Sequence, residues 1–128
     1  MRVHRMTLLG VAIFAVTALA SLALLPRLPP EVAIHFGVGG EPDSFVAAPA
    51  GVLLLPSIGL ATLVFTRVAG SAGIGTSAPP VFDPLLATFL GYVQALVLAY
   101  NLGVRINVAT ALAPALVAFV AVVFVIQR

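Results

Sequence analysis

Four long apolar runs divide the chain, and all of its charged side chains lie in the breaks between them or at the two ends. The runs cover about residues 6–25, 49–66, 84–103 and 108–126. At about 1.5 Å per helical residue, runs of this length match a hydrocarbon core of roughly 30 Å. Pro26, Pro29 and Pro30 end the first run. Pro49 suits the first helical position of the second, while Pro56, with Gly59 nearby, is placed to bend it. Asp83 is expected to cap the third helix, with Pro84 in its first position, and Asn107 to cap the fourth, which Pro114 should kink. No run carries a formal charge in its interior.

The long break, residues 26–48, is organised differently from the other two. The stretch from Leu25 to Phe45 holds three of the four acidic residues, one of two histidines, four of ten prolines and three of eleven glycines. Pro29 and Pro30 force an extended entry. Residues 31–36 then alternate, with Val32, Ile34 and Phe36 on one side and Glu31, Ala33 and His35 on the other. Gly37, Gly39 and Gly40 permit a reversal, Pro42 and Asp43 are turn chemistry, and Asp43 or Ser44 is placed to cap a short helical turn before Pro49. The second break, from Val68 to Pro80, reads as a small, flexible linker. The third, from Asn101 to Asn107, is short enough to make the last two runs an antiparallel hairpin.

Composition turns this pattern into a fold class. The chain is 62% hydrophobic and 8% charged, against about 25% charged residues in soluble domains. The bilayer is the solvent that fits. The expected fold is an all-α membrane protein, one domain of four transmembrane helices with an ordered extracytoplasmic loop between helices 1 and 2. Six arginines and no lysine supply the basic charge. They are scattered, so nothing points to nucleic acid. Arg2, Arg5, Arg67 and Arg128 fall on one side of a four-span layout and Arg27 and Arg105 on the other. That bias puts both termini in the cytoplasm of a multi-pass cell-membrane protein. A cleaved signal peptide competes for the first run, since Arg2 and Arg5 precede it and Ala18-Leu19-Ala20 resembles a cleavage site. The apolar run continues to Leu25, longer than a usual signal core, which favours a retained span.

Cysteine is absent, so no disulfide, thiolate ligand or cysteine nucleophile exists. The one group resembling a reactive constellation is His35, Glu41 and Asp43, which a reversal at residues 37–40 would bring together as one nitrogen and two carboxylates. That set is chemically adequate for a divalent ion, but its spacing matches no strong metal signature. The plainer reading is a histidine bonded to a turn carbonyl or carboxylate, with Asp43 capping backbone amides. Gln94, near the middle of the third run, should bond a neighbouring helix. Tyr92 and Tyr100 read as packing and interface aromatics, Asn101 and Arg105 as helix-end residues, and His4 as an exposed terminal residue.

The run Leu28-Pro29-Pro30-Glu31-Val32-Ala33-Ile34-His35-Phe36, followed by Gly40-Glu41-Pro42-Asp43, resembles the signature of the membrane-domain family of SdpI-type toxin-immunity proteins. The likeness covers about twenty residues and implies a four-span layout around the loop. Pro29, His35, Gly40, Pro42 and Asp43 are the pattern positions it carries over. Two departures stand out. Ser44-Phe45-Val46-Ala47 follows the aspartate where family loops often continue with lysine or an aromatic, and longer immunity proteins carry a further multi-span region.

The leading functional expectation is a non-enzymatic membrane protein, without a cofactor, whose outward loop binds or senses an extracellular peptide or toxin. Its partners would be the lipid bilayer, that peptide, and a second copy or another membrane protein. A small transporter or channel subunit is the second class, disfavoured because Gln94 is nearly alone at mid-membrane. A metal-binding membrane protein or enzyme using His35, Glu41 and Asp43 is the third; it lacks any H-E-x-x-H or G-x-S-x-G run.

Overall fold

The computed structural model describes residues 3–75 and 78–128. Arg2, counted above among the topology signals, lies outside them, as does part of the second linker. Four helices are long and apolar enough to cross a membrane: α1 (Arg5–Ala23), α2 (Ala48–Ser71), α3 (Phe82–Asn101) and α4 (Val108–Gln127). Between α1 and α2 lie a 3-10 turn (Leu25–Arg27) and two strands, β1 (Glu31–Phe36) and β2 (Pro42–Ala47). The protein is a four-helix membrane bundle carrying a β-hairpin at one end.

The helices alternate in direction, so the hairpin and the α3–α4 connection share one end, while both termini and the α2–α3 connection share the other. α3 packs on all three other helices, α1 packs on α2 and α3, and α4 leans chiefly on α3. Of α4, only Val108 is fully buried; Phe119 packs against Phe82 and Phe89 of α3, and most of the remaining apolar side chains are exposed. In water that surface would be a liability, and in lipid it costs nothing.

The core sits where α1, α2 and α3 meet, at Phe14, Leu63, Leu86 and Ala87. Gly59 makes room for it, because a Cβ there would run into the Phe14 ring. Pro56 lies inside α2 and has no N–H to offer the Val52 carbonyl four residues earlier. Gln94, only 2% exposed, supplies the missing donor: its Nε2 bonds the Val52 carbonyl at 2.7 Å and the Ser21 hydroxyl at 2.9 Å. The expected inter-helix bond of Gln94 is therefore present, and its partner is the carbonyl that a helix-interior proline frees.

Several local expectations change. Asp83 does not cap α3. That helix starts at Phe82, after the Pro79-Pro80 turn, with no side-chain cap, and Pro84 is its third residue. The Asp83 carboxylate is fully buried and engaged elsewhere. Oδ1 accepts from Arg67 Nη2 at 2.8 Å and Nε at 3.1 Å, and Oδ2 accepts from the Thr7 hydroxyl at 2.6 Å. α2 runs on past residue 66 because Arg67 is satisfied inside it; its guanidinium also bonds the carbonyls of Ala78 and Pro79. So α2 and α3 each contain a formal charge, paired with each other near the end that carries the termini, and Arg5 opens α1 at that same end. The linker after α2 is tied down by the same arginine at its described far side. His4 is the N-cap of α1, its Nδ1 accepting from the Met6 amide at 3.0 Å. Asn107 caps α4 as expected, accepting from the Thr110 amide.

Candidate functional site

The segment after the 3-10 turn folds as a complete antiparallel hairpin. β1 is the expected extended stretch, but residues 42–47 form a second strand that runs straight into α2, in place of a capped helical turn. Glu31 pairs with Ala47, Val32 with Val46 and Ala33 with Phe45, after which the register shifts so that His35 pairs with Ser44 and Phe36 with Pro42. The tip is closed by bonds from the Gly37 amide to the Glu41 carbonyl and from the Gly40 amide to the Gly37 carbonyl. Gly40 takes φ +89°, which other residues rarely adopt. Pro42 sits at the strand end beside the tip, where a missing N–H costs little. At the opposite end the Ala48 amide bonds the Pro30 carbonyl at 2.9 Å, so Pro29 and Pro30 deliver the chain into the ladder.

The irregular register breaks the alternation expected of β1. Val32 and Ala33 are both buried, while His35 is exposed and Ile34 and Phe36 are half-buried. The reason is Asn101 at the end of α3. Its side-chain amide accepts from the Ala33 N–H at 2.8 Å and donates to the Ala33 carbonyl at 3.0 Å, acting as a third strand one residue long. Asn107 holds the tip, its Nδ2 donating to the Gly39 carbonyl at 3.2 Å. Phe36 packs edge-on against Tyr100, with ring centroids 5.0 Å apart. The hairpin is thus fastened along its length to the ends of α3 and α4. Asn101 and Asn107 were read as helix-end residues only. An asparagine at each end of a seven-residue connection, facing a long polar loop, was the available signal.

On this frame His35 and Asp43 meet, and Glu41 stays apart. His35 Nδ1 lies 2.7 Å from Asp43 Oδ1, and the Ser44 hydroxyl donates to the same oxygen at 3.3 Å. A carboxylate only accepts, so Nδ1 carries the proton and Nε2 is left facing out. The Glu41 carboxylate instead lies against Gly39. Among the described residues no three His, Cys, Asp or Glu side chains converge as a metal site; the structure has the plainer arrangement, a histidine bonded to one carboxylate. Beneath the pair is an apolar cavity of about 420 Å³, walled by Ile34, Phe36 and Val38 of the hairpin and by Leu55, Val97 and Leu112 of α2, α3 and α4. His35 stands on its rim.

The hydrogen bond from His35 holds the Asp43 carboxyl below the usual carboxylate range, with the histidine charge acting in the same direction. A depressed folded value means the pairing stabilises the hairpin above the unfolded value, near pH 4, and is lost as pH falls through the folded one. The protection factors of the His35 and Ser44 amides, taken relative to the intrinsic exchange rate at each pH, should stay high at neutral pH and fall below about pH 4. Asp43→Asn should already exchange faster at neutral pH and lose that acid-dependent step. A wild-type profile in the variant would refute the pairing.

These features define a multi-pass membrane protein with a structured hairpin packed on its helix ends. Residues 12–60, which take in most of α1, the hairpin and half of α2, match a family described as a domain of unknown function, DUF1648. No curated protein and no solved structure matches the chain.

Proposed function

We propose that this is a non-enzymatic membrane protein whose hairpin binds or senses an extracellular peptide or toxin, as in immunity or signalling at the membrane. The observation that carries the reading is the fastened hairpin, with His35 of the exposed His35–Asp43 pair on the rim of an apolar cavity. A rigid polar edge over an apolar recess suits the side chain of an amphipathic peptide, because little ordering entropy remains to be lost on binding. The arginine bias favours an outward-facing hairpin, with Arg5, Arg67 and Arg128 at the opposite end. The motif from Leu28 to Asp43 supports kinship with SdpI-type immunity proteins. Transport is supported less, since the one carboxylate within the helices, Asp83, is fully buried and held by Arg67 and Thr7.

The test is survival of a sensitive strain expressing the wild type, His35→Ala or Asp43→Asn, challenged with secreted peptide fractions from the source organism. Protection by the wild type, lost in both variants at equal membrane insertion, is the expected result. Protection that survives both substitutions would remove the hairpin from the function.

A further inference from the structure

The end of the bundle opposite the hairpin carries a second recess, about 570 Å³, between the start of α1 and the end of α2. Its walls are apolar, with Leu8 and Val11 on one side and Leu63, Val64 and Val68 on the other. It runs from Val3 and the His4 cap along the first seven residues of α1, to Val11, about 10 Å of helix. Both Leu8 and Val64 are more than half exposed, so none of the described residues fills the space between these walls.

Two nitrogen donors stand in this recess. Arg67 lines it with a side chain 22% exposed. The guanidinium has five N–H groups, and its four bonds run to Asp83, Ala78 and Pro79. The other donor is His4: its Nδ1 accepts the Met6 amide, which leaves the ring proton on Nε2. Charge at this end is one-sided. Arg5, Arg67 and Arg128 stand there against Asp83 alone, and Asp83 is fully buried and paired. The other three acidic residues, Glu31, Glu41 and Asp43, are all on the hairpin.

We infer that this recess is a binding site for an anionic phospholipid, with an acyl chain against Leu8, Val11 and Val64 and the phosphate at Arg67 and His4. An ordinary crevice facing lipid would take any acyl chain. What selects an anion here is a guanidinium fixed in the groove wall, at an end where Asp83 is the only acidic side chain among the described residues. Basic pockets between transmembrane helices recognise headgroups by this chemistry. Asp83 offsets the Arg67 charge and holds the guanidinium in place, which leaves one Nη1 N–H unbonded. The attraction for an anion comes from that donor, from His4 Nε2–H and from the surplus charge of Arg5 and Arg128 at this end.

The experiment is native mass spectrometry of the full chain released from nanodiscs containing equal phosphatidylglycerol and phosphatidylcholine with the same acyl chains. Val64→Trp and Leu8→Trp, both at exposed positions, fill the groove without touching the core, and the thermal midpoint confirms that each folds. The wild type should retain phosphatidylglycerol over phosphatidylcholine by about tenfold, and both variants should lose that preference. Equal retention of the two lipids by the wild type would show an ordinary lipid-facing crevice. Undiminished preference in both folded variants would place the lipid elsewhere. Either outcome overturns the assignment.

Discussion

Arg67→Ala should be the most damaging single substitution in this protein, lowering stability by about 3–5 kcal/mol. The Asp83 carboxylate is fully buried, and arginine supplies two of its three hydrogen bonds. Removing the guanidinium leaves that charge with the Thr7 hydroxyl alone and also strips donors from the Ala78 and Pro79 carbonyls. The reverse change, Asp83→Asn, should cost less. Arg67 is already partly exposed, and a long side chain near a helix end can carry its charge to the interface. Replacing both by leucine should recover part of the loss, since an apolar pair leaves no charge stranded. Unfolding in mixed micelles reads all three. If Arg67→Ala and Asp83→Asn cost the same, the asymmetry in burial is not what governs this cluster.

The contrast between Arg67 and His35 shows which parts of the architecture were legible. The four spans were readable because composition alone decides them: with so few charged residues, every long apolar run has to be helix in lipid. The ends were less readable because charge was taken as a stop signal. Arg67 and Asp83 lie sixteen residues apart on different helices, and nothing local announces that they neutralise each other. Asp83-Pro84 looked like a cap for the same reason: a cap is a local inference, and a buried tertiary partner overrode it. In the hairpin, His35 and Asp43 came together because glycines fixed the reversal, so a short-range argument sufficed. Glu41 did not join them, as it sits inside the turn where its side chain points along the tip. The second strand was missed because Pro42, Asp43 and Ser44 individually favour turns. Its partner strand and the Asn101 amide on the far side outweigh those preferences, and neither is visible in residues 42–47 themselves.

Substituting Gln94 by leucine should cost about 2 kcal/mol, but only while Pro56 is present. Hydrogen bonds between transmembrane helices average about 0.6 kcal/mol, because the displaced groups usually find other partners. The Val52 carbonyl is a different case. Its helical donor would be the N–H of residue 56, which proline lacks, so without Gln94 it stands bare in an apolar core. In a Pro56→Ala background the amide of residue 56 can take that carbonyl, and Gln94→Leu should then cost no more than the average bond. The two substitutions should therefore couple by about 1 kcal/mol in a double-mutant cycle. Ser21→Ala supplies the control: it removes the other Gln94 partner, which Pro56 does not govern, so its cost should be the same in both backgrounds. Equal costs for Gln94→Leu with and without Pro56 would mean that the amide serves only as a bridge between α1 and α3. A cost that falls with the proline gone would establish Gln94 as the group that lets α2 keep a proline in the membrane.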